Sequence, residues 1–214
     1  MDLENAITKI MEEYATTGRV FFNEAHFQSE FTISLNKKLK DENYKLILEY
    51  SPKYKKYRVD LLAIDLKEEK KFIIEFKYVT KTAEIKVADG LFINLKYQGA
   101  YDVRRYQIWK DIHKLEDLTD HGKCDGGFFT LITNADKLIK KVPEDNLDSE
   151  FDISKGTHPS KIGELYWSYS SPKTEKRYPN KIPIRSQYTF NYSVYSGSKP
   201  QSEFKYLVLK IEKK

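Results

Sequence analysis

At 214 residues, with 32% charged and 40% hydrophobic side chains, the chain is long enough to bury a core and too apolar for disorder, so a single domain over 1–214 is expected. Its one cysteine, Cys124, excludes an intramolecular disulfide and a cysteine-rich zinc site, and no stretch nears the roughly 20 apolar residues of a membrane-spanning helix. Met1-Asp-Leu-Glu opens without the basic and apolar segments of a secretory leader, and the +5 net charge permits phosphate binding without requiring it, so a soluble protein of the reducing cytoplasm is expected.

Residues 2 to 15 carry Leu3, Ile7, Ile10, Met11 and Tyr14 at helical spacing, which predicts an amphipathic first helix. A second, capped by Asn23, is expected from Glu24 to about Leu39, because Phe27, Phe31, Leu35 and Leu39 recur every four residues. Glu24 and Gln28 lie one turn apart beside that stripe. Strands are expected at Tyr44 to Tyr50, Tyr57 to Ile64 and Phe72 to Val79, with Asp65 to Lys70 as the polar tip of a hairpin. The stretch from Lys86 to Tyr101 is open between a loop and a short amphipathic segment. Tyr101, Ile108, Ile112 and Leu115 then predict a helix to about Leu118, and Gly126-Gly127 leads into a strand ending at Thr133. A helix between neighbouring strands implies a crossover onto a mixed sheet, hence an α/β or α+β core. Beyond about Val142, frequent Pro, Ser, Gly and Tyr predict a β-rich, loop-rich elaboration over about 142–214, ending in a strand at Phe204 to Ile211.

Charges inside the apolar strands set the chemistry. Lys71-Phe-Ile-Ile-Glu-Phe-Lys-Tyr-Val79 holds Glu75 and Lys77, and Tyr57-Arg-Val-Asp-Leu-Leu-Ala-Ile64 holds Asp60. Buried ionised groups carry a desolvation cost of several kcal/mol each unless compensated. Glu75 and Lys77, two apart on a strand, share a face. Pairing Ile64 with Lys71 brings Asp60 opposite Glu75, with Cβ atoms roughly 5 Å apart. Two such carboxylates repel unless a cation lies between them, and oxygen ligands on two strands suit Mg²⁺, with Mn²⁺ as a substitute. Asp60, Glu75 and the Phe76 backbone carbonyl are the expected ligands, with Glu24 reaching in from its helix. The chemistry that follows is metal-assisted phosphodiester hydrolysis, in which Lys77 orients or deprotonates the attacking water or neutralises developing charge.

An acid on an early helix (Glu24), an Asp on the second strand (Asp60) and Glu-x-Lys on the third (Glu75-Phe-Lys77) resemble the PD-(D/E)XK, or restriction-endonuclease-like, nuclease superfamily. The resemblance covers about residues 20 to 135, and Val59 stands where the motif's name has Pro. It implies an αβββαβ core, Mg²⁺ on Asp60 and Glu75, Lys77 serving the water, and a DNA endonuclease of restriction or defence type. DNA cutting on both strands further implies a homodimer. Downstream, Arg104, Arg105, Lys110 and Lys114 are candidate phosphate contacts, and Gln28 a candidate substrate contact. For Arg105 a pairing with a core carboxylate stands equally beside that role. The four histidines show no ligand spacing, and no glycine-rich phosphate loop or Ser or Cys nucleophile motif is present. The alternative to the enzyme is a catalytically inactive nucleic-acid-binding or protein-interaction module on the same fold.

Overall fold

The computed structural model describes residues 2–88, 90–168, 178, 181–197 and 199–213. In chain order these form α1 (Leu3–Thr17), α2 (Glu24–Lys38), β1 (Tyr44–Tyr50), β2 (Val59–Asp65), β3 (Lys70–Val79), β4 (Ala83–Ala88), β5 (Leu91–Leu95), α3 (Tyr101–Asp120) and β6 (Gly126–Thr133). The chain continues with β7 (Gly156–His158), β8 (Gly163–Tyr166), β9 (Lys181–Ile184), β10 (Tyr188–Phe190), β11 (Ser193–Val194) and β12 (Lys205–Glu212). This is an α+β architecture around a mixed central sheet.

Local chemistry fixes the helix ends. The Asp2 carboxylate accepts the Asn5 amide at 2.8 Å to start α1, and Gly18 ends it in the left-handed region at φ 64°. The Asn23 side chain accepts the His26 amide at 2.8 Å, which makes Glu24 the first residue of α2, as its position after Asn23 implied.

Among the described residues the central sheet has six strands in the order β1-β2-β3-β6-β12-β11. β3 and β6 run parallel and the other neighbours antiparallel, so the connection carrying α3 is the crossover that the helix between two strands implied. The β2–β3 register is the expected one, with Ile64 opposite Lys71. The Asp65 carboxylate pins the hairpin tip by accepting the amides of Lys67 and Glu68 at 2.9 and 3.1 Å.

Side chains alternate across β3, so Ile74, Phe76 and Tyr78 face α1 and α2 while Ile73 and Val79 face α3. On the first face Phe76 meets Phe27 and Phe31 edge-on, with ring centroids 5.2 and 5.0 Å away. On the second, Ile108, Trp109, Ile112 and Leu115 of α3 cover Leu62, Ile73, Phe129 and Leu131. Each such burial stabilises by roughly 1.5–3 kcal/mol, which is what holds Glu75 and Lys77, on the α3 side of β3, away from water. The close approach of α3 to β6 depends on Gly127: a Cβ there would lie 2.9 Å from Leu115 Cδ2 and 3.2 Å from the Ile73 carbonyl oxygen.

Two regions differ from expectation. The stretch from Lys86 to Tyr101, left open between loop and amphipathic segment, carries most of the β4–β5 hairpin, which has Ile85, Ile93 and Leu95 buried and Val87, Leu91 and Phe92 exposed. The C-terminal strand is not peripheral: β12 pairs with β6 inside the central sheet, and Phe204 and Tyr195 join the core beneath α1. Of the expected elaboration, residues 169–177, 179–180, 198 and 214 lie outside the described residues. No helix among the described residues is long and apolar enough to cross a membrane.

Candidate active site

β3 runs on past the end of β2. The paired ladder stops at Leu61 opposite Ile74, leaving the amides of Phe76 and Tyr78 to point the same way with no strand to receive them. Two carboxylates take them. Asp60 Oδ2 accepts the Phe76 amide at 2.8 Å, and Glu24 Oε2, from the first turn of α2, accepts the Tyr78 amide at 3.1 Å. Strand geometry therefore sets both acids beside the end of β3, where Glu75 and Lys77 emerge.

From the opposite face, α3 contributes Asp111 and Lys114. Lys77 Nζ lies 2.8 Å from Asp111 Oδ2 and 3.7 Å from Glu24 Oε1, and donates to the Phe76 carbonyl at 3.2 Å. Lys114 Nζ lies 2.7 Å from Glu75 Oε2 and 3.4 Å from Asp111 Oδ1. Glu75 is 1% exposed, and its Oε1 has no hydrogen-bond partner among the described residues. Four carboxylates against two ammonium groups leave the cluster with a formal charge of −2.

The titration directions reflect this crowding. Burial, then the negative charge of Asp111, push the Glu75 carboxyl well above its ordinary range, and burial also raises Asp60 and Glu24. Burial would raise Asp111 as well, but Lys77 and Lys114 outweigh it and hold that carboxyl below the usual value. For both lysines burial opposes the charge and the surrounding carboxylates prevail, so each ammonium titrates above its ordinary range.

Lys77, Asp111 and Lys114 form part of the floor of a cleft of about 470 Å³. Lys56, Arg58, Arg104 and Lys110 supply positive charge on its walls, with Gln98 and Gln107 between them. Arg104 and Lys110, two of the candidate phosphate contacts, thus line the cleft. Lys114 lies deeper and faces Glu75 and Asp111 instead of open solvent. Gln28 also differs: its Nε2 donates to the Asp60 carbonyl at 2.7 Å and to Glu49 Oε1 at 3.4 Å, bracing β2 behind the site. Arg105 does not line the cleft. Its Nε donates to Asp148 Oδ2 at 2.6 Å and its Nη1 to the carbonyls of Lys137 and Leu138, so the pairing with a core carboxylate is the arrangement found. Trp109 and Tyr106 are buried in the core, consistent with packing.

Sequence reading missed Asp111, although a signal existed: it falls three residues after Ile108 and four before Leu115, an acid within an apolar helical stripe. Lys56 and Arg58 carried no such signal. They reach the cleft because Lys55, 2.7 Å from Asp117 Oδ2, ties the β1–β2 loop onto α3.

The donor set fits a hard divalent cation. Glu24, Asp60 and Glu75 offer oxygens from three elements, Glu75 Oε1 is unpartnered among the described residues, and the net charge is that which a divalent ion balances. Among the described residues no group of three or more His, Cys, Asp or Glu side chains is already placed to hold a metal ion, and Lys77 and Lys114 pair with three of the acids. The Phe76 carbonyl, an expected ligand, is engaged by Lys77. No family model, curated protein or solved structure matches the chain.

Proposed function

We propose that the protein is a divalent-metal-dependent nuclease that hydrolyses phosphodiester bonds, with DNA as its substrate and an endonuclease mode of cutting, on a core of PD-(D/E)XK type. The observation that carries this reading is the clustering of Glu24, Asp60, Glu75, Lys77, Asp111 and Lys114, of which Glu24, Lys77, Asp111 and Lys114 line a cleft together with Lys56, Arg58, Arg104 and Lys110. Acids alone would repel nucleic acid, and lysines alone would bind it without chemistry. Here Glu24 and Asp111 line the same cleft as the exposed cations, so a phosphate held by those cations is brought beside the acid cluster.

Glu24, Asp60 and Glu75 are the residues that would hold Mg²⁺ or Mn²⁺. When bound, the ion neutralises charge on the phosphate and acidifies water. Lys77, kept cationic by Asp111 and Glu24, acts as a hydrogen-bond donor that orients the attacking water and offsets charge building on the phosphate oxygens. Asp111 sets the direction of Lys77, and Gln28 fixes the backbone at Asp60.

Incubating the protein with supercoiled plasmid tests the reading: relaxed and linear DNA are expected with Mg²⁺ or Mn²⁺ and not with chelator. A second reading, a nucleic-acid-binding module that does not cut, is favoured by one observation, that Lys77 and Lys114 already satisfy much of the acid cluster. Retention of plasmid without any cleavage, equal with and without metal, would select it.

A further inference from the structure

We infer that Lys114 is a resident cation occupying the position a second metal ion would take, so that the cluster accepts one divalent ion and not two. This rests on the metal-dependent reading above and specifies its stoichiometry.

An ammonium has three donors, and Lys114 meets three oxygens: Glu75 Oε2 at 2.7 Å, Asp111 Oδ1 at 3.4 Å and the Arg58 carbonyl at 3.0 Å. They come from β3, α3 and the residue before β2, and they enclose the charge as the ligands of an ion would. The side chain is only 13% exposed, so it is not a surface lysine that happens to lie nearby. Asp111 is committed on both oxygens, Oδ1 to Lys114 and Oδ2 to Lys77 at 2.8 Å. Glu75 is committed on one side only, Oε1 having no hydrogen-bond partner among the described residues.

The cluster therefore divides. Asp111 and one oxygen of Glu75 are paired with lysine, while Asp60 and Glu24 each spend one oxygen on a β3 amide and Glu75 Oε1 has no partner among the described residues, which makes these three the donors left to a cation. Two-ion sites space their metals about 3.5–4 Å apart. A second ion at that spacing that used Glu75 Oε2 and Asp111 would have to displace the Lys114 ammonium from both. The formal charge of −2 is cancelled by one divalent ion; a second would leave an uncompensated positive charge in a largely buried site.

The test is titration of Mn²⁺ into the full chain at neutral pH, followed by calorimetry and by the paramagnetic resonance signal of free Mn²⁺. One ion per chain is expected for the wild type and for Lys114→Arg, and two for Lys114→Met, which keeps the apolar stem and removes the charge. Lys114→Gln replaces Lys114→Met if melting shows the latter unfolded. Two ions on the wild type, or a single ion on the folded neutral variant, overturn the inference and leave the metal-dependent reading standing. Absence of binding by all variants overturns both.

Discussion

The Asp111 carboxylate on α3 and the Lys77 ammonium on β3 lie 2.8 Å apart, and the same ammonium is 3.7 Å from Glu24 on α2. The two helices cover opposite faces of the sheet, and one lysine meets both because β3 has outrun β2 at this point. The candidate centre is thus a seam through the sheet, and its parts fail in distinguishable ways.

Glu75 reports the balance between stability and metal binding. Glu75→Gln leaves the buried Lys114 ammonium with only Asp111 and the Arg58 carbonyl, so it is expected to lower the stability of the metal-free protein by about 1–3 kcal/mol. The wild type should gain about 2.7 kcal/mol at Mg²⁺ a hundredfold above its dissociation constant, and Glu75→Gln should gain little. Thermal melts with and without Mg²⁺ measure both differences.

Asp117 gives the acid dependence. Burial alone would raise its carboxyl, but the Lys55 ammonium at 2.7 Å and the Tyr57 hydroxyl hold it below the ordinary value. A carboxyl lowered on folding stabilises above its unfolded pKa of about 3.9, and that contribution disappears as pH falls through the folded value. Asp117→Asn should therefore melt below the wild type at pH 7, with the gap closing in stronger acid. Because Lys55 anchors the loop bearing Lys56 and Arg58, the variant should also bind nucleic acid more weakly.

The cleft walls should act through counterion release. For duplex DNA each lost phosphate contact reduces the slope of log affinity against log salt by about 0.9. The double variant Lys56→Ala, Lys110→Ala is expected to lower that slope by about 2 in filter-binding or anisotropy titrations. Arg105→Lys should leave it unchanged, since Arg105 faces Asp148 and not the cleft.

Gly127→Ala should couple packing to activity. The added methyl meets the Ile73 carbonyl oxygen at 3.2 Å and Leu115 Cδ2 at 2.9 Å, so the Leu115 side chain and with it the packing of α3 on β6 must shift. Overpacking of this kind costs about 1–3 kcal/mol. Since α3 carries Asp111 and Lys114, cleavage should fall further than the loss of folded protein explains, as single-turnover rates on the folded fraction would reveal.

Much of the fold was legible because it rests on local patterns. The four-residue recurrence of Phe27, Phe31 and Leu35 marked α2, and two apolar runs around a polar tip fixed the Ile64–Lys71 register. The charges of β3 stood out for the same reason. What escaped depends on distant partners. Asp148, 43 residues beyond Arg105, decides where that guanidinium points. The C-terminal strand looked like an appendage because nothing local marks its pairing with β6. The β4–β5 hairpin was ambiguous because half of its apolar residues are exposed. Asp111 was the exception, a local signal overlooked because the apolar stripe around it was read without its acid.

The most direct measurement is the rate of plasmid cleavage in Mg²⁺ by wild type, Asp60→Ala and Lys77→Ala at equal concentrations of folded protein. The account expects cleavage by the wild type and a fall of at least roughly 10²-fold in each variant, with both still folded. Cleavage by either variant at the wild-type rate would contradict it.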